Sequence, residues 1–406
     1  MNPLPSQQDA ATRERLVIGA VTVLAIAGCG SGMSQRVMDP LLPRLGADFG
    51  VPLSAASWVI TCFSLGYAVS QLFFGPVGDR FGKLRVIAWG CGGCLLATLA
   101  CAFAPGLGTL VGARVLAGVT SAALIPLAMA WIGDSVPYEH RQPVLARFSI
   151  GQILGVALGQ LLGGLSADHF GRQIPFLLIA ALFALSTVLL LRMRRQLDVA
   201  APTGASQVAQ AGLLREFLLV LREPWARVVM RSVFLEGALV LGAFAFFATH
   251  LHRTLGISLT LAGSAAMLFG LGGLLFAFTA RRLLAGIGEI GLIRLGGTLV
   301  LATMTIVALA SNLAVAALAC FAMGVGFYML HNTLQTNATQ MAPERRGAAV
   351  AAFALSYFLG QALGVAAAGW CVMRFGSTSV ILGAAAGLIL VALDFARHRQ
   401  RRGRLH

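Results

Sequence analysis

The chain has 406 residues, of which 58% are hydrophobic and only 11% charged, where globular proteins carry about 25% charged residues. So few charges exclude a soluble surface, and the apolar share is what about twelve membrane crossings of some 20 residues each require. The formal charge of +15 invites a nucleic-acid partner, but the placement of the basic residues along the chain excludes that.

Charge-poor helices are predicted near 16–40, 56–75, 86–104, 107–131, 145–166, 174–192, 229–250, 260–280, 290–310, 314–336, 347–372 and 377–394. The N-terminus, with Arg13 and Arg15, has no short apolar stretch followed by a cleavage site, so it reads as a retained first span. Pro105-Gly106 breaks an otherwise continuous apolar run and predicts a short hairpin at the outer face. Of the 30 Lys and Arg, four fall on one set of loops (Arg44, Arg172, Arg253, Arg374) and two within spans (Arg36, Arg114). The rest lie on the other set or within about four residues of it, and that set is therefore expected to face the cytoplasm, with both termini. The tail from Arg397 to Arg404, with five Arg, is expected against an anionic inner leaflet.

The longest polar interruption, Arg192 to Arg231, splits the spans six and six. It holds a Pro/Gly/Ser-containing linker and then Leu213 to Glu223, an amphipathic stretch expected along the inner membrane surface. The fold class is an all-α polytopic membrane protein, twelve transmembrane helices arranged as two pseudo-symmetric six-helix bundles. Residues 1–192 form the first bundle, 193–228 a central cytoplasmic loop, and 229–406 the second bundle with a basic tail.

The halves repeat. Gly151-Gln152-Ile153-Leu154-Gly155-Val156-Ala157 in the fifth span returns as Gly360-Gln361-Ala362-Leu363-Gly364-Val365-Ala366 in the eleventh, 209 residues on. Parallel six-span repeats place a substrate cavity at their interface. Gly151, Gly155, Gly159 and Gly163 recur every four residues, and with Gly164 leave a helix face open to close approach of another backbone. The Cys91-Gly92-Gly93-Cys94 run lies inside a span, where small residues serve packing rather than redox or metal chemistry. His250 and His252 are two apart on a helix and share no face, so no metal site is expected there.

After the second span comes Gly75-Pro76-Val77-Gly78-Asp79-Arg80-Phe81-Gly82-Lys83-Leu84-Arg85. A P-loop would need Gly where Val77 stands and Ser or Thr where Leu84 stands. The segment instead resembles the loop signature of the major facilitator superfamily, Gly-x-Leu-x-Asp-Arg-x-Gly-Arg/Lys, with Val77 for the usual Leu. Arg114-Val115-Leu116-Ala117-Gly118 is similar to the family's Arg-x-x-x-Gly pattern in the fourth span. Gly155-x3-Gly159-Gln160-x2-Gly163-Gly164 is similar to the fifth-span signature of its antiporter branches, with Gln160 where those have Pro. The resemblance implies a secondary transporter of the twelve-span drug/proton antiporter type. It assigns Gly75, Gly78, Asp79, Arg80, Gly82 and Lys83 to a cytoplasmic gating loop, and Arg114 to a first-half cavity with a part in proton coupling.

The residues themselves nominate further candidates. Arg114 is about 10 Å deep along its helix, so it either faces a cavity with a partner or snorkels outward. Asp39, counted to the outer end of span one, could meet Arg114, or form a rim salt bridge with Arg36 at i,i+3. Protonation of such a carboxylate would compete with substrate or salt-bridge formation. Glu236 falls in the inner third of span seven. It could carry the proton, contact a cationic substrate, gate the two halves, or pair with Arg231. His331, Asn332 and Gln335 either line the cavity or bond other helices. Arg36, Tyr67, Gln71, Gln152 and Gln361 complete the cavity candidates, and Gly360 and Gly364 the packing positions.

The expected function is proton-coupled efflux of small amphipathic molecules by alternating access, from a bacterial inner membrane. The expected protein is a monomer that needs no cofactor beyond the proton gradient and binds neither metal nor nucleic acid. A proton-coupled importer of a small metabolite is the alternative, followed by a transporter-like sensor. No enzyme is expected, because neither HExxH nor a Gly-x-Ser-x-Gly elbow occurs.

Overall fold

A computed structural model describes residues 7–197 and 213–403, and among these residues the chain is helical without strands. Ten continuous helical segments are long and apolar enough to cross a membrane. Two of them, Leu259–Leu309 with 51 residues and Pro343–Arg402 with 60, would stretch about 75 and 90 Å if straight, more than twice the hydrocarbon thickness. Each instead turns at a single glycine, Gly288 or Gly376. Span ten, Leu313–Ala338, demonstrates the first reversal, since its Gly324 abuts Phe269 before the turn and its Gly326 abuts Gly296 after it. Both segments are therefore two crossings, and the count is the expected twelve.

The other spans are Arg15–Arg36, Leu53–Phe81, Lys83–Ala102, Leu107–Ser135, Glu139–Phe170, Gln173–Arg194 and Pro224–Leu255. Most outrun their apolar cores, because helical hydrogen bonding continues into the polar boundary. Two consequences correct the sequence reading. The expected gating turn is helical as far as Phe81, and the chain breaks at Gly82 alone. Span one does not end at Asp39, because a second helix, Met38–Phe49, carries it onward after a break at Val37.

Four hairpins rest on one glycine each. Gly82, Gly171, Gly288 and Gly376 have φ between 66° and 90° and ψ between 127° and 177°, an extended conformation with positive φ that a Cβ disfavours. Gly288 follows Gly82 by 206 residues and Gly376 follows Gly171 by 205, so the repeat is written into the turns as well as the spans.

The glycine stripe faces span one. A Cβ on Gly151, Gly155, Gly159 or Gly163 would strike Ala25, Cys29, Met33 or Val37 respectively, each four residues beyond the last. The second half repeats the contact with the same offset of 209, as Gly360 meets Phe234 and Gly364 meets Ala238. Spans one and five, and spans seven and eleven, are thus locked backbone to backbone. Gly164 turns the other way and meets Leu259 of span eight. Cys91 and Cys94 are buried free thiols, and the adjacent Gly93 abuts Thr120 of span four.

Each half has its own apolar core. Second-half residues Ala245, Phe246, Leu259, Val365, Ala368 and Val372 join the first-half core. All six lie toward the end of the molecule opposite Gly82 and Gly288, here the far end. The end bearing Gly82 and Gly288 is the basic end. The amphipathic stretch forms a helix, Leu213–Arg222, whose Phe217, Val220 and Leu221 lie on the second-half core and whose Glu216 is 2.9 Å from Arg345. Part of its apolar face is thus engaged by protein, while Leu218 stays exposed. Most of the Pro/Gly/Ser-containing linker lies outside the described residues. In the basic tail, Arg399 pairs with Glu289 at 2.8 Å and Arg402 covers the Trp225 ring. Arg404 lies outside the described residues.

Candidate functional site

The break at Val37 sets the first cluster. Arg36 and Asp39 flank it three residues apart, with the guanidinium 3.5 Å from Asp39 Oδ2 and both residues buried. From span five, Gln160 Nε2 donates to the same oxygen at 2.7 Å. Asp39 Oδ1 and Gln160 Oε1 are buried with no hydrogen-bond partner. Asp39 is therefore enclosed rather than at a rim, because the helix to Phe49 continues past it. The Arg36 guanidinium lies 5.5 Å from the Phe244 ring of span seven, in the second half.

Arg114 neither snorkels nor pairs with Asp39. It is 1% exposed, and its Nε donates to the Val59 carbonyl at 3.2 Å while Nη1 donates to Ser34 Oγ at 3.3 Å. The guanidinium sits 4.1 Å from the Phe63 ring. Span two supplies both a carbonyl and an aromatic face for this cation, whereas Arg36, on the same chain segment, already holds Asp39. The two clusters still interact electrostatically through Asp39 and Arg114.

In the second half, Glu236 does not pair with Arg231, which binds Asp394 instead. Glu236 is fully buried, with Oε2 2.8 Å from His331 Nδ1 and Oε1 without a partner. The imidazole stacks on Phe327 at 5.2 Å and touches Tyr357 at 4.7 Å and Phe353 at 5.6 Å. Tyr357 leads to Phe358 at 5.1 Å, which meets Tyr67 of the first half at 4.2 Å. A line of side chains joins the two clusters across the seam, from Asp39 and Arg36 through Phe244, Phe269 at 4.6 Å and Phe327 at 5.3 Å to His331 and Glu236.

The other cavity candidates divide. Tyr67, Gln71 and Gln361 are buried, and Tyr67 interacts with Gln71 one turn on. Gln152 is half-buried beside Gly28 and Gly32 of span one. Asn332 is half-buried and Gln335 exposed, so neither joins the Glu236–His331 pair. His250 contacts Ser377 and the Val307 carbonyl, and His252 the Ile257 carbonyl, so the two share no ligand position. Among the described residues no three His, Cys, Asp or Glu side chains cluster as a metal site.

The two ends of the seam differ. At the far end, Asp168 accepts from Leu259 N at 3.3 Å, Thr260 N at 2.6 Å and Thr260 Oγ1 at 2.7 Å. A first-half carboxylate thereby caps the N-terminus of span eight, where the helix dipole favours negative charge. A Cβ on Gly369 would lie 2.6 Å from Ser57 Oγ. At the basic end, Lys83 pairs with Asp79 at 3.2 Å and Asp134 at 2.7 Å. Arg80 covers Phe81. Gly78 abuts Leu127, while Gly75 is exposed with nothing near it. The pairs Lys83–Asp79, Lys83–Asp134, Arg231–Asp394 and Arg399–Glu289 each join residues of one half, and Arg345–Glu216 ties the central segment to the second half.

Charges inside apolar helices announced Asp39, Arg114 and Glu236. Gln160 stood out in the sequence only as the departure from the fifth-span signature, which does not point to Asp39 as its partner. Asp168 lay in a segment that reads as a loop, and Phe244 and Tyr357 are aromatic residues among many.

A model of the Major Facilitator Superfamily matches residues 24–365. The chain is 23% identical over 372 residues to YceJ of Bacillus subtilis, described as an MFS-type transporter, covering 89% of this chain and 91% of that protein. It is 27% identical over 164 residues to the multidrug export protein EmrB of Escherichia coli, 40% of this chain and 32% of that one. It is 31% identical over 152 residues to the multidrug efflux pump LfrA of Mycolicibacterium smegmatis, 37% of this chain and 30% of that one. Among solved structures, the nucleoside transporter NupG superimposes with a TM-score of 0.73 at 14% identity, covering 94% of this chain and 98% of that one.

Proposed function

Since the chain belongs to the Major Facilitator Superfamily, a family of multi-pass membrane transporters, we propose that it is a proton-coupled exporter of small amphipathic molecules. Its working parts are two bundles, residues 1–192 and 229–406, joined by 193–228, which rock about the polar seam. The basic end faces the cytoplasm of a bacterial inner membrane, and the protein acts as a monomer without a cofactor, driven by the proton gradient.

One observation carries the coupling. Asp39 is a fully buried carboxylate with one free oxygen, and its ion-pair partner Arg36 reaches the other half at Phe244. Protonating Asp39 removes the counter-charge of a guanidinium that has little water to turn to, and breaking such a pair costs about 3–5 kcal/mol. The cost is relieved by moving Arg36, and with it the contact between halves. Glu236 and His331 form a second protonatable pair on the opposite side of the seam. The fifth-span glycine signature and the partial likeness to two named multidrug exporters favour export.

The test is retention of a mixed compound panel by cells with and without the protein, before and after the proton gradient is collapsed. Gradient-dependent loss of a compound is expected, and gradient-dependent gain would establish import instead. Asp39→Asn and Glu236→Gln are each expected to alter the proton dependence. Unchanged dependence in both would remove these acids from the mechanism. Asp79→Asn is expected to abolish turnover while leaving membrane insertion intact, which a surface-labelling assay checks alongside transport.

A further inference from the structure

Gln160 occupies the one position at which the fifth-span signature departs from its antiporter pattern, and the geometry gives that departure a use. Its side chain reaches Asp39 Oδ2 at 2.7 Å, while its own Oε1 is buried without a partner. Its backbone lies on the seam, because a Cβ on Gly263 of span eight would come within 2.6 Å of the Gln160 carbonyl oxygen. The same residue therefore touches the acid with its side chain and the opposite half with its main chain.

We infer that Gln160 is a positioning residue that serves both protonation states of Asp39 and ties them to the contact between spans five and eight. The inference rests on the proposed role of Asp39 as a proton-binding group. A primary amide has a donor and an acceptor on one rotatable head. With Asp39 ionised, the amide N–H donates to the carboxylate, as the structure shows. When Asp39 takes up one proton from water, its new O–H donates to Gln160 Oε1, the amide turning about its terminal bond. The amide itself gains and loses no proton. A proline here would offer neither group, and an apolar side chain would leave the acid with Arg36 alone.

The charged groups acting on Asp39 are Arg36 on its own chain segment and Arg114 from span four. Span five contributes the uncharged Gln160, and span seven contributes Phe244 above Arg36. A change at Gln160 thus alters the hydrogen bonding of Asp39 without altering the charge around it. This separates the amide from the general electrostatics of the site.

The experiment titrates the proton itself and needs no transport substrate. Purified full-length protein in lipid vesicles is followed by infrared difference spectroscopy across pH, and the Asp39 signal is the carboxylic-acid carbonyl band that Asp39→Asn removes. In Gln160→Met, a near-isosteric apolar replacement, that band is expected to change frequency and its midpoint to move by about one pH unit, a tenfold change in proton affinity. Gln160→Glu, whose acid form again offers a donor and an acceptor, is expected to bring the frequency of the Asp39 band back toward that of the unaltered protein. An Asp39 band with unchanged midpoint and frequency in Gln160→Met overturns the inference while leaving the role of Asp39 standing. If no band depends on Asp39 anywhere in the titration, the proposed coupling acid fails, and the inference with it. Should Gln160→Met not insert, Gln160→Asn serves, since its amide is too short for the 2.7 Å contact.

Discussion

Arg114 shows why a buried guanidinium is not exchangeable for another cation. Its Nε meets a carbonyl, its Nη1 a hydroxyl and its flat face an aromatic ring, which a planar fork can do at once and a single ammonium cannot. Arg114→Lys is expected to destabilise the protein by about 1–3 kcal/mol, read as a lower thermal midpoint in detergent. An unchanged midpoint would show that the fork is not used. The Glu236–His331 pair supports a sharper test, because removing one partner strands the other away from water. His331→Leu is expected to cost about 3 kcal/mol or more, whereas His331→Leu with Glu236→Leu costs clearly less than the two single changes summed. Equal additivity in that cycle would mean the two side chains do not interact. The sequence marked Asp39, Arg114 and Glu236, since ionisable groups in apolar helices are conspicuous. It left their partners open, because Asp39 has a guanidinium three residues away and a second one on another helix, and spacing along one chain cannot rank the two.

Among the elements, the glycine stripe of span five was legible at once, for four glycines at intervals of four can only make one bare face. Which helix fills that face depends on how six spans assemble, and that is nowhere written locally. The structure supplies span one. Gly155→Ala is expected to drive a methyl into the Cys29 backbone and cost about 1–3 kcal/mol, with a matching loss of folded protein by size-exclusion chromatography. Gly75 is the contrasting case. Read as part of a turn, it instead lies inside the helix Trp58–Phe81 with open space where a Cβ would go. Gly75→Ala is therefore expected to stabilise that helix by about 0.5–1 kcal/mol, and a fall in thermal midpoint would show that the position needs to bend. The difference has a physical origin: the resemblance marks where the loop signature lies and not where helical hydrogen bonding stops, and here the helix carries Gly75 and Pro76 and runs on to Phe81.

At the scale of the whole molecule, the seam between halves is fastened at the far end by Asp168 on span eight and by the approach of Gly369 to Ser57. A cysteine pair introduced as Ser57→Cys and Gly369→Cys falls within disulfide reach. Oxidation of that pair is expected to stop transport and reduction to restore it, measured by efflux from vesicles before and after reductant. Undiminished transport with the bond demonstrably formed would mean the far end need not open. The twelve crossings and the six-span repeat could be read from composition, charge placement and one heptapeptide. The closed end could not, because it depends on contacts between residues some 90 to 310 positions apart.

The four single-glycine hairpins have a further consequence. They join spans two to three, five to six, eight to nine and eleven to twelve, which is the same joint in every successive group of three helices. Gly82 and Gly288 lie at one end of the molecule and Gly171 and Gly376 at the other, so alternate groups stand upside down. A backbone assembled in this way has no inherent top or bottom. What distinguishes one face of the membrane from the other is laid over the scaffold afterwards, in the arginines gathered at a single end. The four turns would serve either face of the membrane equally, so they by themselves set no direction of transport.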